Sequence, residues 1–180
     1  KNFESVLDAR LKDALFFYES DTKKSLSEWA EGLKDVVVHK KLGTVSGKLD
    51  RVKKISDELL KYVPLDKEDR KDLTRTIKLC KADLLTQMVR EFPSLQGIVG
   101  SYYAKDSGVS NSVSKAIYEH YLPRFADDQM PESDIGVVVS LADKLDNLIS
   151  YFKIGKFPKG NWDLYALRRQ GVGVISILMN

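Results

Sequence analysis

The stretch VVVSLADKLDNLISYF at residues 137–152 reads as an apolar core helix, because Val138, Leu141, Leu145, Leu148 and Phe152 recur at spacings of three and four. Asp143 lies off the centre of that row and Asp146 near its edge. Ionised carboxylates are almost never fully buried unless paired or metal-bound. Two arrangements are therefore open: both acids sit at a half-exposed rim beside Lys or Arg, or at least one of them points at a polar centre.

Helical spacing continues on both sides of this segment. In FESVLDARLKDALFFYES, Phe3, Val6, Leu7, Ala14, Phe17 and Tyr18 form a core stripe. Asp21 opens a second helix that buries Leu26, Trp29, Ala30 and Leu33. A short extended VVVH and a turn at Gly43 lead to a third helix with Leu49, Val52, Ile55, Leu59 and Leu60 on one side, ended by Pro64. The fourth, from Asp66 to the stop at Pro93, is the longest. SLQGIVGSYYAKDSG is helical, with Gly97 and Gly100 permitting close approach of a neighbour, and SNSVSKAIYEHYLP starts at a Ser cap. After the polar loop RFADDQMPESD and the opening segment, the turn KFPKGN precedes a final helix in WDLYALRRQGVGVISIL. The expectation is an all-α bundle of about eight helices, with residues 1–40 as a helical arm packed on a body of residues 41–180.

The 43% hydrophobic and 31% charged composition is that of a globular protein. Twenty-nine Lys and Arg against 26 Asp and Glu leave +3, too small a bias to name a polyanionic partner without local clustering. A single cysteine, Cys80, excludes an intramolecular disulfide and suits a reducing compartment. No apolar run approaches a membrane span. The chain opens on Lys1 and ends in GVGVISILMN without a stop signal, which reads as a piece of a longer polypeptide.

Catalytic signals are sparse. His39 and His120 fall in different segments without a second histidine at ligand spacing, and surface or cap positions are expected for them. Cys80 is expected to pack rather than to react. GTVSGK lacks the spacing of a phosphate-binding loop. The paired basics Lys23-Lys24, Lys40-Lys41, Lys53-Lys54 and Arg168-Arg169 are scattered and read mostly as solvated faces.

The order of segments resembles the HD superfamily of helical metal phosphohydrolases, which hold a metal with a His, a His-Asp doublet and a final Asp. KLDRV places Lys48 where the first His would stand, with Arg51 beside it. KADLL places Ala82-Asp83 at the doublet, and LADKLDNL places Asp143 last. Two carboxylates without imidazoles make a poor transition-metal site. The resemblance implies a degenerate centre in which Lys48 replaces the metal and pairs with Asp83 and Asp143, leaving Asp146 at the rim.

Longer blocks, above all MVREFPSLQGIVGSYYA and PKGNWDLYALRRQGVG, resemble the β subunit of the bacterial heterotetrameric glycyl-tRNA synthetase, in collinear order over nearly the whole chain. The resemblance implies a central fragment around that subunit's degenerate HD domain: cytoplasmic, without catalytic residues, metal or cofactor of its own. Its implied partners are glycine tRNA, the remaining β domains and the α subunit of the α2β2 assembly, which uses ATP with Mg²⁺. Lys156, Lys159, Arg168 and Arg169 are the candidate tRNA contacts, with salt bridges as the competing role for the arginines. The competing functional readings are a metal-dependent HD phosphohydrolase acting on nucleotides and a helical interaction domain without a nucleic-acid role.

Overall fold

The computed structural model describes residues 2–180, with side chains from residue 3 onward; Lys1 lies outside the described residues. Nine α-helices occur among the described residues: α1 (Asn2–Asp21), α2 (Leu26–Glu31), α3 (Val45–Leu59), α4 (Lys67–Leu79), α5 (Gln87–Glu91), α6 (Ile98–Asp106), α7 (Asn111–Glu119), α8 (Asp134–Lys153) and α9 (Leu167–Met179). A small antiparallel ribbon, β1 (Val37–His39) with β2 (Gly43–Thr44), pairs Val37 with Thr44 and His39 with Gly43. The chain is otherwise an all-α bundle.

Side-chain caps fix where the helices begin. Ser25 and Glu28 close a reciprocal capping box on α2, Asp66 accepts from Glu68 N and Asp69 N at 2.8 Å on α4, and Ser110 and Ser133 cap α7 and α8. At the centre of the bundle, α8 packs on α3, α4, α7 and α9. Its Val138, Val139 and Ala142 join Val52, Ile77 and Ile117 in one core, to which Leu26 and Leu33 also belong.

Four expectations change. The stripe on α1 is not core along its length: Phe3 is 87% exposed and Val6 and Leu7 are 60% exposed, while only Ala14, Phe17 and Tyr18 pack on the body. Asp21 ends α1 instead of capping α2. It is buried and reaches the start of α5, accepting from Gln87 N at 3.0 Å and Met88 N at 2.9 Å, with the Tyr103 hydroxyl donating at 3.0 Å. The long helix from Asp66 to Pro93 breaks after Leu79 into a 3-10 turn (Ala82–Leu85) and α5. Lys81 leaves helical conformation there, and Thr86 caps the new helix by accepting from Val89 N. Finally, α9 starts at Leu167 and not near Trp162, because Ala166 takes a left-handed φ of 54° and Asp163 accepts from Leu167 N and Arg168 N at 2.8 and 2.9 Å.

Candidate functional site

Lys48 and Arg51 lie one turn apart on α3, and Asp143 and Asp146 lie one turn apart on α8, so each pair shares a helix face. The two faces meet. Lys48 Nζ is 2.9 Å from Asp143 Oδ1 and 3.1 Å from Asp146 Oδ2, and it donates to Asn147 Oδ1 at 2.8 Å. Arg51 forks onto Asp146 through Nε at 2.6 Å and Nη2 at 3.3 Å, and Lys81 Nζ donates to Asp143 Oδ2 at 3.1 Å. Two buried carboxylates are thus held by three cations. Such a centre keeps its charges only because each is paired.

Lys48, Arg51 and Asp143 come together here, but Asp83 does not: it makes no ion pair among the described residues. Fully buried, it accepts from Gly97 N at 2.6 Å, and its Oδ1 has no partner. Gly100 makes room for it, since a Cβ there would meet Asp83 Oδ2 at 2.9 Å. Burial pushes the Asp83 carboxyl up to about 6 against the lowering effect of the Gly97 amide. The partner of Asp143 beside Lys48 is Lys81, which the sequence reading passed over. Asp146 is likewise not a rim residue: it is 3% exposed and carries two cations.

Asp143 feels burial, which alone would raise it, but Lys48 and Lys81, aided by the neighbouring His120, hold it well below the usual carboxylate range. Of the surface or cap positions expected for it, His120 takes the cap: it is the C-cap residue of α7, and it is fully buried. Its Nδ1 meets the Ile117 carbonyl and its ring packs on Tyr121 with centroids 3.9 Å apart. Burial, then the charge of Lys81, push its pKa well below that of a free imidazole. Lys144 is lowered to about 8, first by burial. It donates to the Leu122 carbonyl at 2.7 Å and to Ser140 Oγ at 2.8 Å. Cys80 is buried and pushed up to about 12 by desolvation, so it is no nucleophile.

A cleft of about 610 Å³ opens onto this centre, reaching Lys48, Lys81, His120, Asp143, Lys144 and Arg169. The four expected tRNA contacts therefore fall into separate places. Lys156 and Lys159 are exposed on the loop after α8, around a hollow of about 290 Å³ shared with Phe157, Trp162 and Leu164, which are 59%, 72% and 70% exposed. Arg169 borders the central cleft, and Arg168, exposed on the same turn of α9, borders neither.

An HD-type metal does not fit these residues. No three His, Cys, Asp or Glu side chains converge to hold one among the described residues, and the Lys48 ammonium sits against Asp143 at ligand-like distance. The fold and site define an all-α domain whose polar centre is closed by ammonium and guanidinium groups. By sequence, residues 1–180 match the family described as glycyl-tRNA synthetase beta subunit, and the chain belongs to that family. It is similar to the glycine–tRNA ligase beta subunits of Clostridioides difficile (51% identical over 177 residues, 98% of this chain and 26% of the relative), Syntrophomonas wolfei (49% over 177 residues, 98% and 25%) and Persephonella marina (49% over 178 residues, 98% and 25%). The chain spans about a quarter of the length of these relatives.

Proposed function

We propose that this region is the non-catalytic tRNA-binding and scaffolding portion of the β subunit of heterotetrameric glycine–tRNA ligase, supporting ATP-dependent glycylation of tRNA in the bacterial cytoplasm. Family membership supports the role in charging glycine tRNA. The observation that carries the tRNA reading is the loop after α8, where Lys156 and Lys159 stand beside exposed Phe157 and Trp162. Lysines there can contact phosphates and the rings can stack on unpaired bases. Arg168 and Arg169 extend the basic surface along the first turn of α9.

In this reading ATP and Mg²⁺ are handled by the α subunit, and the region alone has no catalytic activity. The ion-paired centre is the remnant of an HD-type site, kept as a structural strut between α3 and α8. Exposed apolar side chains on α1 (Phe3, Leu7, Leu11) and α9 (Ile175, Leu178) suit docking against other domains of the subunit or against α. A metal-dependent phosphohydrolase is disfavoured by the donor set: Lys48 brings a positive charge where that chemistry needs a metal ligand. The test is Lys156→Glu combined with Lys159→Glu in the α2β2 assembly. Affinity for glycine tRNA should fall while ATP-dependent activation of glycine persists; unchanged tRNA affinity would sink the assignment of these lysines.

A further inference from the structure

One face of α1 is covered along only half its length. Phe3, Leu7, Arg10, Ala14, Phe17 and Asp21 follow one another at alternating spacings of four and three, so they share that face as a continuous seam. Its C-terminal half rests on the body. Ala14 and Phe17 pack on the core, Asp21 accepts from the first amides of α5, and the Arg10 guanidinium lies 5.9 Å from the centroid of the Phe92 ring. Beyond that ring the seam is uncovered among the described residues: Phe3 is 87% exposed, Leu7 and the flanking Val6 are 60% exposed, and Leu11 is 67% exposed. Polar groups keep to the other side of the helix, where Lys12 pairs with Asp8 at 2.6 Å.

The identity of the missing cover follows from the shape and setting of the seam. Alternating spacings of three and four suit a second helix lying nearly parallel to α1. The uncovered half is as apolar as the covered half it continues, which is the character of a permanent interface. The chain spans about a quarter of the length of its relatives, so the rest of such a subunit can supply the helix. A helix of the same polypeptide meets the seam at high effective concentration, without the association entropy that a separate α subunit or a second copy would lose.

We propose that Phe3, Val6, Leu7 and Leu11 dock against a helix elsewhere in the same β polypeptide, seated in the corner between the start of α1 and Phe92. The inference rests on the place of this chain in a β subunit and narrows the docking role given to α1 above to one occupant. It is independent of the tRNA reading, in which α1 takes no part.

The test is maleimide labelling of full-length β subunit carrying Leu7→Cys or Leu11→Cys, purified alone and in the α2β2 assembly, with the modified peptide read by mass spectrometry. In β alone each cysteine should label about tenfold or more slowly than in the same variant unfolded by urea, as expected for a site reached only by local opening. The rate should not depend on protein concentration and should not fall further when α is added. If one variant fails to fold, the other gives the same reading. Fast labelling in β alone that slows only with α would assign the seam to the α subunit. Protection that grows with β concentration would assign it to a second copy, and fast labelling in both preparations would leave it in solvent. Each of these three outcomes overturns the proposal, and none of them bears on the Lys156 and Lys159 variants.

Discussion

Replacing Lys48 by Met keeps the length of the side chain and removes its charge from beneath α8. Lys48 is 6% exposed and contacts Asp143 at 2.9 Å and Asp146 at 3.1 Å. Stripping a buried carboxylate of its only partner costs roughly 3–5 kcal/mol. Here Asp143 retains Lys81 and Asp146 retains Arg51, so the loss should fall near the low end, about 3 kcal/mol. With the urea dependence usual for a small domain, that lowers the unfolding midpoint by about 1–2 M. The dependence on acid should change as well. Asp143 is held below its unfolded value, so its contribution is present above about pH 3.9 and is lost as pH falls through the folded value. Without Lys48 the folded value rises, and the acid-induced loss should shrink. A double variant with Asp143→Leu should lose less than the sum of the two single changes, because the sites are in direct contact. A midpoint for Lys48→Met indistinguishable from the parent would refute the strut.

Other consequences follow from neighbouring groups. Asp83 is raised to about 6, so its favourable contribution is complete below its unfolded value and is lost as pH rises through about 6; Asp83→Asn should remove that part of the pH–stability curve, measured by thermal melts from pH 4 to 7. Gly136→Ala should destabilise by more than about 1 kcal/mol in urea unfolding, since the new Cβ would lie 2.1 Å from Glu119 Oε2, whereas Gly171→Ala meets nothing within 4 Å and should be tolerated. Cys80 should resist alkylation by iodoacetamide at pH 8 in the folded chain and react once denatured, because it is buried with its thiol pushed up to about 12.

Residues 137–152 disclosed a central helix because their spacing is strongly helical, and Ser110 marked the start of α7 because a side-chain cap is a local signal, whereas the prolines misplaced ends: α3 stops at Leu59, short of Pro64, and the helix opened by Asp66 stops at Leu79, short of Pro93. What periodicity could not disclose is which faces other elements cover. The stripe on α1 has the same spacing as a core helix, yet nothing among the described residues covers Phe3 or Leu7. Asp146 looked like a rim residue because its burial depends on Lys48 and Arg51, some 95 residues earlier. Asp21 resembled an ordinary cap because the helix it serves begins 66 residues later. The break at Cys80–Thr86 was hidden by Leu84, Leu85 and Met88, which keep helical spacing across it. Lys48 and Asp143 were legible through family resemblance, whereas Lys81, Arg124, Lys144 and His120 gave no local sign that they converge on one cleft.

In the proposed reading, the ammonium groups of Lys48 and Lys81 close this centre in place of a metal. Metal analysis of the full-length β subunit after equilibration with Mn²⁺, Zn²⁺ and Mg²⁺, alongside a phosphate-release screen over nucleotides, in the parent and in Asp143→Ala, tests it. No stoichiometric metal and no phosphate release are expected. Stoichiometric metal in the parent, with phosphate release that disappears in Asp143→Ala, would overturn it.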